Sequence, residues 1–374
     1  MAVTRDDRFI RLASMYFELS DLIGIVKRMI GTGLIGGKTL GMLLARAILR
    51  HADAHWTERL EAHDSFYVGS DVFYTYLVQN GCWWLRRRMR KQDDLEGVLA
   101  TAREARERMM NGEFPTNIKH QFTEMLDYFG QSPVIVRSSS LLEDNYGNAF
   151  SGKYQSVFCA NQGTPSERLD AFMAAVRTVY ASTMSDQALT YRADRGLLDQ
   201  DEQMGLLVQR VSGAAYDGLY YPQIGGVGFS FNPYAWSEEI DPEAGVLRMV
   251  MGLGTRAVDR TDDDYTRLVA LNAPRKRQET TADQIRQYSQ KRLDVLDLTH
   301  NRLAAPKVAG VMRQTGPEPR QLFLSPDTEL QERARQAGMT DVFPWNVTFD
   351  GLFDRTPFIS DMADMLRTLQ EAYQ

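Results

Sequence analysis

Two stretches of the 374-residue chain combine residue types suited to anion chemistry. The first is GTGLIGGKT, residues 31–39, in which Gly31, Gly33, Gly36 and Gly37 lead into Lys38. Glycine lets backbone approach a phosphate closely. A helix N-terminus adds N–H groups and partial positive charge, and Lys38 supplies a point charge. The second stretch is PVIVRSSS, residues 133–140. Val134 to Val136 read as a core strand, and Arg137 is expected to emerge where that strand ends, the usual place for ligands in α/β proteins. The planar fork of arginine suits bidentate phosphate contact. Ser138, Ser139 and Ser140 offer hydroxyls and N–H groups to the same anion. Glu143 and Asp144 follow closely and are placed to orient Arg137 or to sit near a metal.

Each stretch also has plainer readings. GTGLIG fits G-x-G-x-x-G, the dinucleotide fingerprint, and Asp53 lies near the expected acidic position, but repeated βαβ units do not follow. The P-loop pattern fails in register, because its first glycine would fall on Thr32. An isolated Gly-Gly-Lys can simply cap a helix and leave the lysine solvated. Arg137 can likewise form a salt bridge to Glu143 at a strand terminus. The residues by themselves leave these alternatives open.

The elements that must position these groups read as mixed α/β. Leu40, Leu43, Leu44, Ala47 and Ile48 fall at helical spacing and predict a helix starting near Lys38. SFYVGSDVFYTYLVQNG (65–81) reads as a short strand, a cap at Ser70 or Asp71, and a helix ended by Gly81. Residues 86–110 are dense in charge and read as a solvated helical face. Leu169, Phe172, Met173, Val176 and Tyr180 mark another helix. LLVQRV (206–211), VGFSFNP (227–233) and VLRMVMGLG (246–254) read as strands. Residues 272–290 read as a linker or an exposed helix. SDMADMLRTLQEAYQ predicts a last helix capped at Ser360 or Asp361.

Composition narrows the function classes. A net charge of −6 with mixed acids and bases argues against a nucleic-acid surface. Cys82 and Cys159 match no metal spacing and no disulfide framework, so a reducing cytoplasm is expected. The opening MAVTRDDRFIRL lacks an apolar signal core. A run of about 18 apolar residues is absent, so no membrane span is expected.

Taken in order, five blocks resemble the N-terminal, ATP-grasp-type domain of the phosphoenolpyruvate synthase and pyruvate phosphate dikinase family. They are IGGKTLGML, DSFYVGSDVFYTYLVQNG, VIVRSSSLLEDNYGNAFSGKYQSVF, GLLVQRVSG, and the pair GGVGFSFNP with MGLGTRAVD; together they cover roughly residues 30–270. The resemblance implies an α+β fold of two lobes closing on ATP, with one lobe over residues 20–205 and the second over 206–374. It implies that Lys38 and Arg137 bind the ATP phosphates behind Gly36 and Gly37, with Ser138 and Ser139 beside them. Gly152 and Lys153 would sit in the loop over the nucleotide, and Gln209, Arg210 and Val211 would form the adenine hinge. The implied reaction passes a phosphoryl group from ATP to a histidine on a swivelling domain, from which it reaches pyruvate in a barrel domain; rifampicin phosphotransferases and glucan dikinases share this front end. A non-catalytic nucleotide-binding module derived from the same fold is the alternative.

The sequence departs from the family pattern in its last third. The family's late Asp-Ile-Glu and Gln-x-Arg motif, which holds Mg²⁺ and completes the phosphate site, is not found. Gln284-Ile-Arg286 and Gln290-Lys-Arg292 lack its preceding strand. SDMADMLRTLQEAYQ resembles the helix just before that motif, so the second lobe is expected to be incomplete at its C-terminal end, with Mg²⁺ ligands absent. None of His51, His55, His63, His120 and His300 has the Gly-Gly…Ser-His context of the phosphorylated histidine. The swivelling and barrel domains are therefore expected elsewhere, in a longer chain or in trans. Residues 300–358 match nothing recognisable.

Overall fold

The computed structural model describes residues 6–92, 94–140, 152–258 and 264–374, which divide into two compact units. The first comprises residues 1–211 with 298–302, and the second 212–297 with 303–374. The boundary expected between 205 and 206 therefore falls inside a strand of the first unit.

Five strands form the sheet of the first unit: β1 (Met29–Ile30), β2 (Ser65–Val68), β3 (Val134–Ser140), β4 (Ser156–Cys159) and β5 (Met204–Arg210). Their order is β1-β2-β5-β3-β4. Only β1 and β2 run parallel; every other pair is antiparallel. That pattern rules out the doubly wound parallel sheet that the dinucleotide fingerprint requires. One face of the sheet carries Val134, Val136, Leu206 and Val208 into a core shared with Phe73, Phe122, Phe172 and Tyr180 of the flanking helices. The Gly37–Ala52 helix packs on β3 and β5, burying Leu40, Leu44 and Ile48 to 2% exposure or less. Each such leucine or isoleucine contributes about 1.5–3 kcal/mol of transfer free energy.

Two expectations need correction. Residues 86–110 do not form one solvated face. They make two helices, Cys82–Met89 and Leu95–Met110, broken near residue 92. Val98, Ala102, Ala105 and Met109 recur at helical spacing and are buried, and even Arg86 is only 5% exposed. High charge density hid this apolar stripe. Nor does β3 end at Val136. It continues to Ser140, paired with Met204, because small serine side chains let the backbone ladder run on.

The second unit holds β6 (Ala214–Tyr216), β7 (Leu219–Tyr221), β8 (Gly225–Phe229), β9 (Val246–Val250), β10 (Arg267–Ala270), β11 (Val295–Asp297), β12 (Arg302–Ala304), β13 (Leu324–Pro326) and β14 (Trp345–Val347). They form three small sheets, β10-β9-β8, β12-β11-β7-β6 and β13-β14. A separate core of Met249, Val269, Leu293, Val295, Phe323 and Phe349 sits among them. Residues 300–358 supply part of it, so this unplaced stretch is integral to the second unit. The glycine blocks have a structural reason here. A Cβ on Gly225 would stand 2.5 Å from the Gly254 backbone, a distance that no side chain tolerates.

The β13-β14 region is pinned by Asp327, whose side chain is 2% exposed. It accepts from Arg286 Nε at 2.6 Å and Nη2 at 3.0 Å, and caps the Thr328–Gln336 helix through Leu330 N–H at 2.9 Å. The Arg286 hydrogen bonds, and then that cap, hold its pKa down at about 2. A depressed carboxylate pKa gives stability that is present above the unfolded value and lost as pH falls through the folded one. Asp327→Asn is therefore expected to destabilise the second unit by about 2 kcal/mol near pH 7. Urea unfolding at stepped pH should show the gap closing between pH 4 and pH 2; a gap independent of pH would contradict the ion-pair account.

Candidate nucleotide site

Gly36 is where the glycine stretch meets β3. It is the N-cap of the Gly37–Ala52 helix with φ 79° and ψ 172°, a region open essentially to glycine alone. A Cβ there would lie 1.6 Å from the carbonyl oxygen of Ser139. Ser139 Oγ donates to Ile35 O at 2.8 Å and accepts from Thr39 N–H at 3.1 Å, so one hydroxyl ties the loop and the helix start to the strand. The same hydroxyl is 3.0 Å from Thr39 Oγ1. All three residues are buried, so these bonds satisfy groups that would otherwise cost about 1–3 kcal/mol each.

This tie brings the two sequence stretches together. Lys38 Nζ donates to Ser138 Oγ at 2.8 Å. Arg137 Nη1 donates to Gln209 Oε1 at 3.4 Å, a diagonal contact between β3 and β5. Alternation along a strand puts Arg137 and Ser139 on one face, and Gln209, opposite Ile135, shares it. Gln209 Nε2 donates to Ser65 Oγ at 3.3 Å and lies 3.1 Å from Met42 Sδ. The glutamine thus holds Arg137 against the helix that also carries Lys38. The first helical N–H groups, at Gly37 and Lys38, have no intrahelical acceptor by the geometry of a helix start. Two cations, hydroxyls and helix-start N–H groups along the same end of β3 are donors suited to phosphate oxygens.

The earlier glycines do something else. Asp71 accepts from Thr32 N–H at 2.9 Å and from Gly33 N–H at 2.7 Å. Ser70 Oγ accepts from Leu34 N–H at 3.1 Å. Gly31 N–H donates to Gln121 Oε1 at 3.1 Å, so the backbone donors of GTG are spent on two flanking helices, and Gly36-Gly37-Lys38 is the part of this loop offered to a ligand. Ser70 and Asp71 read as a cap in the sequence; the N-cap is Gly69, and their side chains bind the glycine loop instead.

Other expected site residues lie apart. Gly152 has φ 75°, and Lys153 Nζ stands 5.0 Å from the Tyr191 ring centroid; neither contacts Lys38 or Arg137 among the described residues. Arg210 N–H donates to Asp64 O and Val211 N–H to Pro133 O, both at 2.9 Å. The Arg210 guanidinium is paired with Asp64 at 2.8 Å, contacts Ser132 Oγ, and lies over Phe129. An adenine at this hinge would therefore meet carbonyl oxygens and side chains rather than those two N–H groups. Glu143 and Asp144 lie outside the described residues. Sequence reading missed Glu202, which is fully buried and accepts from the hydroxyls of Ser140 and Tyr154, joining the residues on either side of 141–151. Nothing in its polar surroundings, DQDEQ, marks it as buried.

The first unit is thus of α+β build, and its glycine-lysine loop is tied to the arginine-serine strand. Residues 32–374 match the family described as "Pyruvate phosphate dikinase, AMP/ATP-binding domain", and the chain belongs to that family. Its relatives include rifampicin phosphotransferase of Bacillus subtilis, 24% identical over 153 residues, which are 41% of this chain and 16% of that protein. Phosphoenolpyruvate synthase of Pseudomonas aeruginosa is 28% identical over 123 residues, 32% of this chain and 15% of the synthase. An uncharacterized phosphotransferase of B. subtilis is 31% identical over 127 residues, 33% and 14% of the two chains. The matched segments thus span about a sixth of each relative's own length. No helix among the described residues is long and apolar enough to cross a membrane.

Gly36→Ala tests the crossing that builds the site. It is expected to destabilise the Gly37–Ala52 helix by at least about 2 kcal/mol. Gly41→Ala in the same helix, where a Cβ meets no atom within 4 Å, should instead stabilise it by about 0.5–1 kcal/mol. Native-state hydrogen exchange of the helix amides distinguishes the two; equal effects would contradict the crossing.

Proposed function

We propose that the chain binds ATP, with Lys38 and Arg137 on the phosphates and Ser138 and Ser139 beside them. One observation carries this reading. Lys38 and Arg137, about a hundred residues apart in sequence, are both anchored on the paired strands β3 and β5, Lys38 by Ser138 and Arg137 by Gln209. Gly36 and Gly37 allow the phosphates close approach to the helix start. Gln209 to Val211 border the adenine, and Gly152 and Lys153 cover the nucleotide. The chain acts as two lobes that divide after β5 rather than between residues 205 and 206.

The reaction is phosphoryl transfer to a histidine on another domain. In that step the bond from the transferred phosphorus to its bridging oxygen breaks and a bond to an imidazole nitrogen forms. This chain's residues bind and orient the phosphates and neutralise charge on them, which is most of what such transfer demands of a protein. The acceptor histidine and the pyruvate-binding barrel belong to further domains, in a longer chain or in trans. Mg²⁺ is expected for this chemistry. Among the described residues no group of three or more His, Cys, Asp or Glu could hold a metal ion. The described donor set fits phosphate oxygens and not a metal.

Charge-assisted hydrogen bonds contribute about 1.5–3 kcal/mol. Lys38→Ala and Arg137→Ala are each expected to weaken ATP binding by about 10- to 100-fold. Calorimetric titration of the folded variants checks this. Unchanged affinity in both would overturn the assignment.

A further inference from the structure

The largest cavity described in the first unit is not the site above. It encloses about 370 Å³ between the Leu19–Lys27 helix, the Gly37–Ala52 helix and β2. Part of its wall comes from Phe17, Asp21, Ile25 and Arg28, which precede residue 32, where the family match begins. The rest comes from the family's own helix and strand, including Leu43, Arg46, Arg50, His63 and Tyr67. The cavity is thus built by adding an N-terminal helix to the family domain.

Its charges are unbalanced. Arg28, Arg46 and Arg50 line it against only Asp21 and Asp64. Asp21 is taken by Arg50 at 2.9 Å and by the Glu18 N–H at 3.0 Å. Asp64 is taken by Arg210 at 2.8 Å. Arg28 Nη2 donates to Tyr128 Oη at 2.8 Å, while its buried Nη1, 3.5 Å from Asp64, makes no hydrogen bond. Arg46 is half-buried on the helix and has no hydrogen-bond or ion-pair partner among the described residues. Glu61 acts on it only through space. His63 stands at the rim. Its pKa is lowered, first by desolvation and then by Arg46 and Arg50, against the opposing pull of Asp64. Holding Arg46 without an anion, beside an Arg28 that has only a long contact to an Asp64 already paired with Arg210, is unfavourable unless a ligand supplies the missing charge.

We propose that this cavity binds a small phosphate monoester, with Arg46 and Arg28 on the phosphate and the organic body against Phe17, Ile25 and Leu43. Guanidinium forks match phosphate geometry, and the volume suits a ligand of sugar-phosphate size. The site is distinct from the Lys38–Arg137 pair and does not rest on the nucleotide reading. It is joined to that pair through Ser65, which lines the cavity and whose hydroxyl accepts from Gln209. A phosphate ester here is therefore placed to sense or tune the nucleotide site.

Calorimetric titration of the full chain with ribose 5-phosphate tests the proposal. One equivalent should bind. Arg46→Gln should weaken it at least tenfold, Arg46→Lys should restore part of the loss, and Lys38→Ala should leave it unchanged. The melting curves of all three variants report that they fold. Absence of binding, equal affinity in Arg46→Gln, or loss of binding in Lys38→Ala would overturn the site. Citrate binding more tightly than the phosphate ester, with the same Arg46 dependence, would overturn the ligand class. Loss of ATP binding in Lys38→Ala with ribose 5-phosphate intact would leave both readings standing separately.

Discussion

The contact of Gly36 with the Ser139 backbone sets the geometry of everything around the site. A chain that crosses a strand so closely must lack a side chain at the crossing and must adopt a backbone conformation open only to glycine. The crossing fixes where the Gly37–Ala52 helix starts. That start fixes Lys38, and the helix face behind it fixes Met42 beside Gln209 and Arg46 in the cationic cavity. Ser139 then satisfies the polar groups that the crossing buries. A single serine hydroxyl with a donor on one side and acceptors on the other replaces the hydrogen bonds that water would otherwise make.

Polar side chains in this unit are held in pairs that stiffen one another. Gln209 steadies Arg137, Ser138 receives Lys38, and Asp71 holds the loop N–H groups of Thr32 and Gly33. Cations held this way are already ordered, so a phosphate bound there, as proposed, would cost little ordering entropy. The second unit repeats the use of glycine at close backbone crossings, at Gly225 and Gly254, and anchors its outer sheet through the buried Asp327.

How much of this could be read from sequence depends on the range of the interaction. The helix after Lys38, the strand at Val134 and the strand carrying Gln209 follow from local periodicity, and they formed where expected. The family resemblance drawn from five ordered blocks agrees with the family that residues 32–374 match. What local pattern does not carry is the identity of partners. Asp71 reads as a helix cap, yet its carboxylate reaches back 38 residues to Gly33. Glu202 sits in a polar run and is nonetheless buried by two hydroxyls from distant segments. Charge density over 86–110 masked a helix that is apolar on one side. Arg137 lies within β3 rather than at its end, because the ladder to β5 is set by residues far along the chain. In each case tertiary pairing overrode a correct local preference.

On the proposed reading, nucleotide phosphates sit beside the Gly36–Ser139 crossing, between Lys38 and Arg137. Hydrogen exchange measured with and without saturating ATP addresses it by location rather than by affinity. Amides of residues 36–40 and 134–140 should slow together on adding ATP, and Lys38→Ala should erase that slowing at both. Slowing confined to other segments, with these two stretches unchanged while ATP is bound, would contradict the account.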